Sequence, residues 1–267
     1  MSKAYTELLA QVRTGELALP SPPTAYVEIS QILNRTDFST SEVAESISKN
    51  PALTATILQM ANSPALRIGA SITSISGAIA VVGTLMIKNI VLSLTVKGKF
   101  KSKNFELNVL LHENWKHSVE ASVRMSILAP KFNLRPEAAL VIGILHDISI
   151  LPIIAYYELK KIDCPVEEEL LELLDSDLSA DILVMWGLDL VVVDSVRHRD
   201  YTQEELAISK LNKLTYSKLL FLVHLSIEDL DLFAEVVKSI GKTDKEVESI
   251  LDLLQNEEYF NLYNTLK

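Results

Sequence analysis

An all-α fold is predicted by three features of this sequence: two helical lobes packed into one compact unit, with a C-terminal helical extension. Apolar residues recur at helical spacing almost from end to end. Only 8 Gly and 9 Pro interrupt 267 residues, so the connections are short. Strand signals are confined to Ile72-Thr73-Ser74-Ile75 and Leu190-Val191-Val192-Val193, which are β-branched but short and flanked by helical patterns. A hydrophobic content of 48% is ample for a large buried core.

The elements follow in order. Residues 3–14 read as a short helix. Leu19-Pro20-Ser21-Pro22-Pro23 is a rigid extended turn, because each proline fixes its own φ and biases its predecessor away from helix. A helix then runs to about Arg35. Ser39-Thr40-Ser41-Glu42 has the spacing of a capping box and opens a helix reaching about Lys49. Asn50-Pro51 starts the next one, with Pro where its missing N–H costs nothing. Leu53, Ile57, Leu58 and Ala61 line one face of that helix, and Asn62-Ser63-Pro64 ends it. Helices over 75–82 and 84–97 are separated at Gly83. Two long helices are expected at about 107–130 and 136–159, and shorter ones near 166–174, 178–186 and 189–199. From Glu204 onward the pattern fits three or four more.

Composition removes several function classes. The single cysteine, Cys164, excludes a disulfide framework and a cysteine zinc cluster. A net charge of −10 disfavours a general nucleic-acid role. Lys97, Lys99, Lys101 and Lys103 are a local exception, read either as a solvated connection between helices or as a small anion-binding patch. The acidic run Glu167-Glu168-Glu169, with Glu172, Asp175, Asp177 and Asp181, reads as an exposed helix face or an acidic docking surface. Met1-Ser2-Lys3-Ala4-Tyr5 enters an amphipathic segment rather than a signal peptide, and no apolar run is read as a membrane span. A cytoplasmic location without membrane contact is expected.

The chemistry centres on His146-Asp147, set inside the apolar run that begins at Ala139. Burying such a pair is costly unless both side chains find partners. A divalent metal supplies such partners, and so does a hydrogen-bonded structural pair. Trp115-Lys116-His117-Ser118 places a second histidine on the preceding long helix, able to face the pair. Trp115 and Trp186 read as core anchors, and His112 and His224 as structural. His198, between Arg197 and Arg199, reads as a solvated or anion-facing surface residue.

His117, His146 and Asp147 resemble the first three ligands of the HD superfamily of metal phosphohydrolases. The sequence is, more narrowly, similar to the HDOD domain over about residues 15–200. The resemblance is carried by the proline turn at Pro20, Lys49-Asn50-Pro51-Ala52-Leu53-Thr54, Gln59-Met60-Ala61-Asn62-Ser63, Ile75-Ser76-Gly77-Ala78-Ile79 and Val82-Gly83. Trp115-Lys116-His117-Ser118, Gly143-Ile144-Leu145-His146-Asp147-Ile148 and Trp186-Gly187-Leu188 complete it. It implies an all-helical, HD-related module, generally without hydrolase activity, serving bacterial signal transduction. It also implies a structural role for Asn62-Ser63 in joining the two lobes.

The sequence departs from the catalytic pattern of the HD-GYP cyclic-dinucleotide phosphodiesterases. The region Leu174-Asp175-Ser176-Asp177-Leu178 lacks their downstream histidine, and Arg197-His198-Arg199-Asp200 retains at most one of a later pair. Near Val223-His224-Leu225-Ser226-Ile227, where the final aspartate belongs, no acid occurs before Glu228. A one-metal site needs His224 or a carboxylate such as Asp194 as substitute.

The expected organisation is an N-terminal helix over 1–14, an HDOD-like domain over 15–203 with lobes at about 15–105 and 106–203, and an extension over 204–267. The expected function is a non-catalytic regulator that binds signalling proteins in trans and, as a further option, a small anionic ligand. With no room for an attached receiver, kinase or cyclase domain, the extension is best placed to be specific to this protein. No cofactor is expected. The alternative is a phosphohydrolase acting on nucleotides or cyclic dinucleotides, with His117, His146 and Asp147 holding one divalent Mn, Fe, Zn or Mg ion.

Overall fold

The computed structural model describes residues 3–62, 71–162, 173–199, 215–256, 263, 264 and 266. Among these, regular structure is helical throughout. The first lobe contains α1 (Lys3–Thr14), α2 (Thr24–Leu33), α3 (Thr40–Ser48), α4 (Pro51–Ala61), α5 (Ile75–Val82) and α6 (Thr84–Val96). The second is built on α7 (Phe105–Leu128), α8 (Pro136–Leu145), α9 (Ile150–Lys160), α10 (Ser176–Met185) and α11 (Leu190–Arg197). Three C-terminal helices follow: α12 (Tyr216–Glu228), α13 (Leu230–Ser239) and α14 (Asp244–Gln255). The expected helix near 166–174 and the stretch 204–214 lie outside the described residues.

Local chemistry sets the boundaries. The Ser39–Glu42 capping box forms, with the Glu42 N–H donating to Ser39 Oγ and the Ser39 N–H to Glu42 Oε2. Asn50 caps α4 by accepting the Leu53 N–H at 3.1 Å, with Pro51 in the first turn. Gly83 has φ +84 and ends α5 while starting α6, which turns by 115° at this point. A side chain there meets no neighbour within 4 Å, so the positive φ alone calls for glycine.

The expected helix over 136–159 is broken. At 146–149 the chain tightens into successive three-residue turns, with Ile148 N–H donating to Leu145 O and Ile150 N–H to Asp147 O. The Ser149 N–H donates instead to Ser179 Oγ at 3.2 Å, and Ser149 Oγ accepts the Asp175 N–H. The His-Asp pair therefore sits on a turn between two buried helices. Taken together, Pro136–Lys160 is, by length and composition alone, apolar enough to cross a membrane. Of its most apolar window, however, 94% is buried inside the protein, so its length serves the core.

The most extensive helix contact is α7 on α8, with α6 joining the first lobe to α8. Trp115 is fully buried and packs on Phe100 with ring centroids 5.1 Å apart. Trp186 donates from Nε1 to Pro20 O at 2.7 Å, tying the end of α10 to the proline turn of the first lobe.

Candidate metal centre

Three helices deliver three imidazoles to one point. His117 lies in the middle of α7, His146 caps the end of α8, and His224 lies in the middle of α12. Two clamps seat α12. Arg124 of α7 donates to Ser226 O at 2.7 Å and is held by Glu120 at 2.7 Å. Tyr216 Oη accepts the Arg135 N–H at 2.9 Å and donates to Arg135 O. Both ends of α12 are thereby fixed against α7 and the start of α8.

One ring nitrogen from each of His117, His146 and His224 lies within 4.8 Å of the other two. The ring centroids form a near-equilateral triangle of 5.3, 5.2 and 5.0 Å. His146 Nδ1 is 2.8 Å from Gly143 O, so Nδ1 carries a hydrogen and Nε2 is turned to the centre. There Nε2 meets His224 Nε2 at 3.3 Å and Asp147 Oδ2 at 3.1 Å. In its neutral form, with Nδ1 donating to Gly143 O, His146 turns the Nε2 lone pair to the centre beside His224 Nε2; protonated, it donates Nε2–H to Asp147 Oδ2 instead.

The protonation states suit ligation, which requires neutral imidazoles. Burial, helped by the charge of His146, lowers His117 to about 4. Burial, again with its histidine neighbours, pushes His224 well below its ordinary value. A three-histidine set matches the donors that Zn²⁺-type ions accept. The residues present fit a single divalent metal, and His117, His146 and His224 are the ones to hold it.

Asp147 lies outside the three-histidine group. Its Oδ1 is paired with Arg199, whose Nη1 also donates to His146 O at 2.6 Å. Burial alone raises this carboxyl. The charges of His146 and Arg199, with the His146 hydrogen bond, outweigh that and hold it well below the usual carboxylate range.

The expectation of no cofactor is corrected by this cluster: a His117/His146/His224 set able to coordinate an ion is present. His224, read from sequence as structural, is its third member. The signal was visible, because His224 occupies the stretch where a final aspartate was sought and was named there as a substitute. Asp194, the other substitute, is exposed on α11 and contacts His198 at 3.1 Å. His112 is also exposed.

The remaining motif residues are spread through the frame. Asn62 Nδ2 donates to Leu58 O and Ile72 O, while Oδ1 accepts from Ile72 N–H and Ser71 Oγ. These contacts close a loop within the first lobe; links between the lobes include Trp186 Nε1 to Pro20 O and Asn89 Nδ2 to Glu137 O. Ser63, like Cys164 and the Glu167-Glu168-Glu169 run, lies outside the described residues. Lys99 and Lys101 line a surface cleft that also contains Glu158, whose carboxylate accepts Ser102 Oγ and Lys103 N–H.

The HDOD domain model matches residues 19–201. Among solved structures, a candidate metal-dependent phosphohydrolase of Shewanella amazonensis SB2B superposes with TM-score 0.84 at 20% identity, covering 98% of each chain. An HDOD domain protein of unknown function from Geobacter sulfurreducens gives 0.62 at 19%, covering 99% of this chain and 97% of that one. A candidate signal transduction protein of Marinobacter aquaeolei VT8 gives 0.60 at 15%, covering 98% of this chain and 66% of that one. At these identities the likeness shows the fold. No curated protein matches the chain. With the family model spanning well over half of its residues, the chain belongs to the HDOD domain family.

Proposed function

We propose that this protein is a metal-binding signalling module of the HDOD family, with one divalent ion held by His117, His146 and His224 as its working centre. The observation that carries this reading is the convergence of three imidazole nitrogens within 4.8 Å. When bound, the ion supplies Lewis acidity toward a phosphate oxygen or a water. The chain's own residues orient and shield. Gly143 O fixes the His146 ring, and the buried turn at 146–149 excludes solvent behind it. His117 and His224 are only partly buried, which leaves an edge for a ligand.

A phosphate-bearing small molecule, such as a nucleotide or cyclic dinucleotide, has the charge to fit this edge. Signalling proteins acting in trans in a bacterial cytoplasm are its partners in this reading. Residues 204–267 form the extension through which they are recognised.

One-metal phosphohydrolysis is the second reading. It is favoured by the donor set, since three histidines with a further position for water is an arrangement that catalytic zinc sites use. The fold shared with the Shewanella candidate phosphohydrolase points the same way.

Elemental analysis of protein purified without chelator tests the centre. One Zn, Fe, Mn or Co per chain, lost in His117→Ala and His224→Ala, is the expected result; a metal-free wild type after exposure to each ion sinks it. A parallel assay on cyclic dinucleotides and nucleotides separates the readings. Metal-dependent turnover abolished by His224→Ala establishes hydrolysis, and binding without turnover establishes a sensor.

A further inference from the structure

Arg199 places a buried cationic group on Asp147, at the edge of the three-histidine cluster. Its Nη1 bonds both Asp147 Oδ1 and His146 O, with only 9% of its side chain exposed, beside an Asp147 side chain at 8%. The position is built rather than incidental. Arg197, two residues earlier, is pinned to α10 through Asp177 at 2.6 Å and Asp181 at 2.8 Å. The turn at His198 is closed by its N–H on Asp194 O. In turn, α10 is anchored to the site through Ser179 and Ser149.

We propose that Arg199 takes the place of a second metal on Asp147, and so makes this a one-ion, three-nitrogen centre selective for Zn²⁺-type ions over Mn²⁺ and Mg²⁺. This rests on the three-histidine reading and adds its stoichiometry and selectivity. Asp147 and Arg199 neutralise each other, so a divalent ion approaching Asp147 must displace a buried guanidinium or sit against its charge. With Oδ1 held and its charge neutralised by Arg199, Asp147 is a weakened donor even though Oδ2 lies beside His146, and the group that converges is the three imidazole nitrogens. These suit Zn²⁺, Co²⁺ and Ni²⁺, whereas Mn²⁺ and Mg²⁺ favour carboxylate and water oxygens. Removing Arg199 restores full negative charge to the carboxylate whose Oδ2 already lies 3.1 Å from His146 Nε2, making it a competent hard donor.

The full-length protein, stripped of metal, is titrated with Co²⁺, Zn²⁺ and Mn²⁺, reading visible Co²⁺ absorption, stoichiometry and competition. The wild type is expected to take one Co²⁺ with the strong absorption of a low-coordinate nitrogen centre, to lose it to Zn²⁺, and to bind Mn²⁺ far more weakly. Arg199→Gln is expected to raise Mn²⁺ affinity relative to Zn²⁺ by on the order of 10-fold and to weaken the Co²⁺ absorption as the coordination number rises. Arg199→Lys, which keeps the charge, retains the wild-type order.

Because Arg199→Gln leaves a buried carboxylate uncompensated, Asp147→Asn/Arg199→Gln serves as the second variant. It replaces the ion pair with neutral groups and is expected to bind one Zn²⁺ as the wild type does. Two ions per wild-type chain, equal Mn²⁺ and Zn²⁺ affinity, unchanged selectivity in Arg199→Gln, or loss of Zn²⁺ from the double variant each overturns the proposal while leaving the triad standing. Failure of the wild type to bind any of the three ions overturns the triad reading as well.

Discussion

A β-carbon on Gly143 would fall 2.3 Å from Ser122 Cα and 2.5 Å from its nitrogen, so α8 and α7 meet backbone to backbone at this point. That approach brings the end of α8, with His146, alongside the turn of α7 that follows His117. The same Gly143 offers its carbonyl to His146 Nδ1. One residue thus sets both the spacing and the ring orientation of the centre.

Gly143→Ala should therefore be severe. The atoms it meets are backbone, which cannot swing aside, and overpacking of this kind costs about 3 kcal/mol or more. Thermal or urea unfolding is expected to show that loss, and the protein that remains folded should bind Co²⁺ more weakly. An unchanged midpoint contradicts the close approach.

Asn62 makes a different kind of prediction. Its amide donates to two carbonyls and its oxygen accepts the Ile72 N–H at 2.8 Å. Asn62→Asp keeps the shape but turns the donor into an acceptor facing Leu58 O and Ile72 O. The expected loss is about 2 kcal/mol, measured by urea unfolding, with metal binding by the intact protein retained, since the defect lies in the first lobe.

Much of this frame was legible in the sequence. The capping box at Ser39, the Asn50-Pro51 start and the break at Gly83 are local chemistry, and local chemistry is written in adjacent residues. His117 and His146 were legible as a facing pair because each sits in a strong helical pattern. His224 and Arg199 were not assigned their places. They reach the site only through the docking of α12 and the end of α11, which depend on contacts such as Arg124–Ser226 and Arg197–Asp181 across long separations. The break at 146–149 was hidden for a related reason. Ile148, Ile150 and Leu151 continue the apolar pattern, and the N–H that leaves the ladder is taken by Ser179, thirty residues away.

Trp186→Phe tests how the lobes are held. It keeps an aromatic six-membered ring but removes the pyrrole part of the indole and with it the Nε1 hydrogen bond to Pro20 O. A loss of about 1 kcal/mol is expected, together with faster amide exchange near the proline turn. Exchange that speeds up equally everywhere would show that the bond contributes to global stability without fastening that turn.

The metal-free protein should lose stability as pH falls from about 6.5 to about 4. His117 titrates near 4 when folded, because burial and the neighbouring His146 disfavour its charged form, and His224 is displaced in the same direction. In the unfolded chain both have ordinary histidine values of about 6.5. Across that window the unfolded state binds more protons, so unfolding becomes easier as acid is added, and the stability is fully present only above the unfolded value. Asp147 adds a second loss at lower pH, since its folded value is depressed and its contribution disappears as the pH falls through it. Melting temperatures of the metal-free protein between pH 7 and 4.5 should therefore decline. His117→Gln/His224→Gln should flatten that decline, because neither replacement titrates. A bound ion occupies the same lone pairs and should move the decline to lower pH. A wild type and double variant with superimposable profiles would show that these two histidines are not held neutral by the fold.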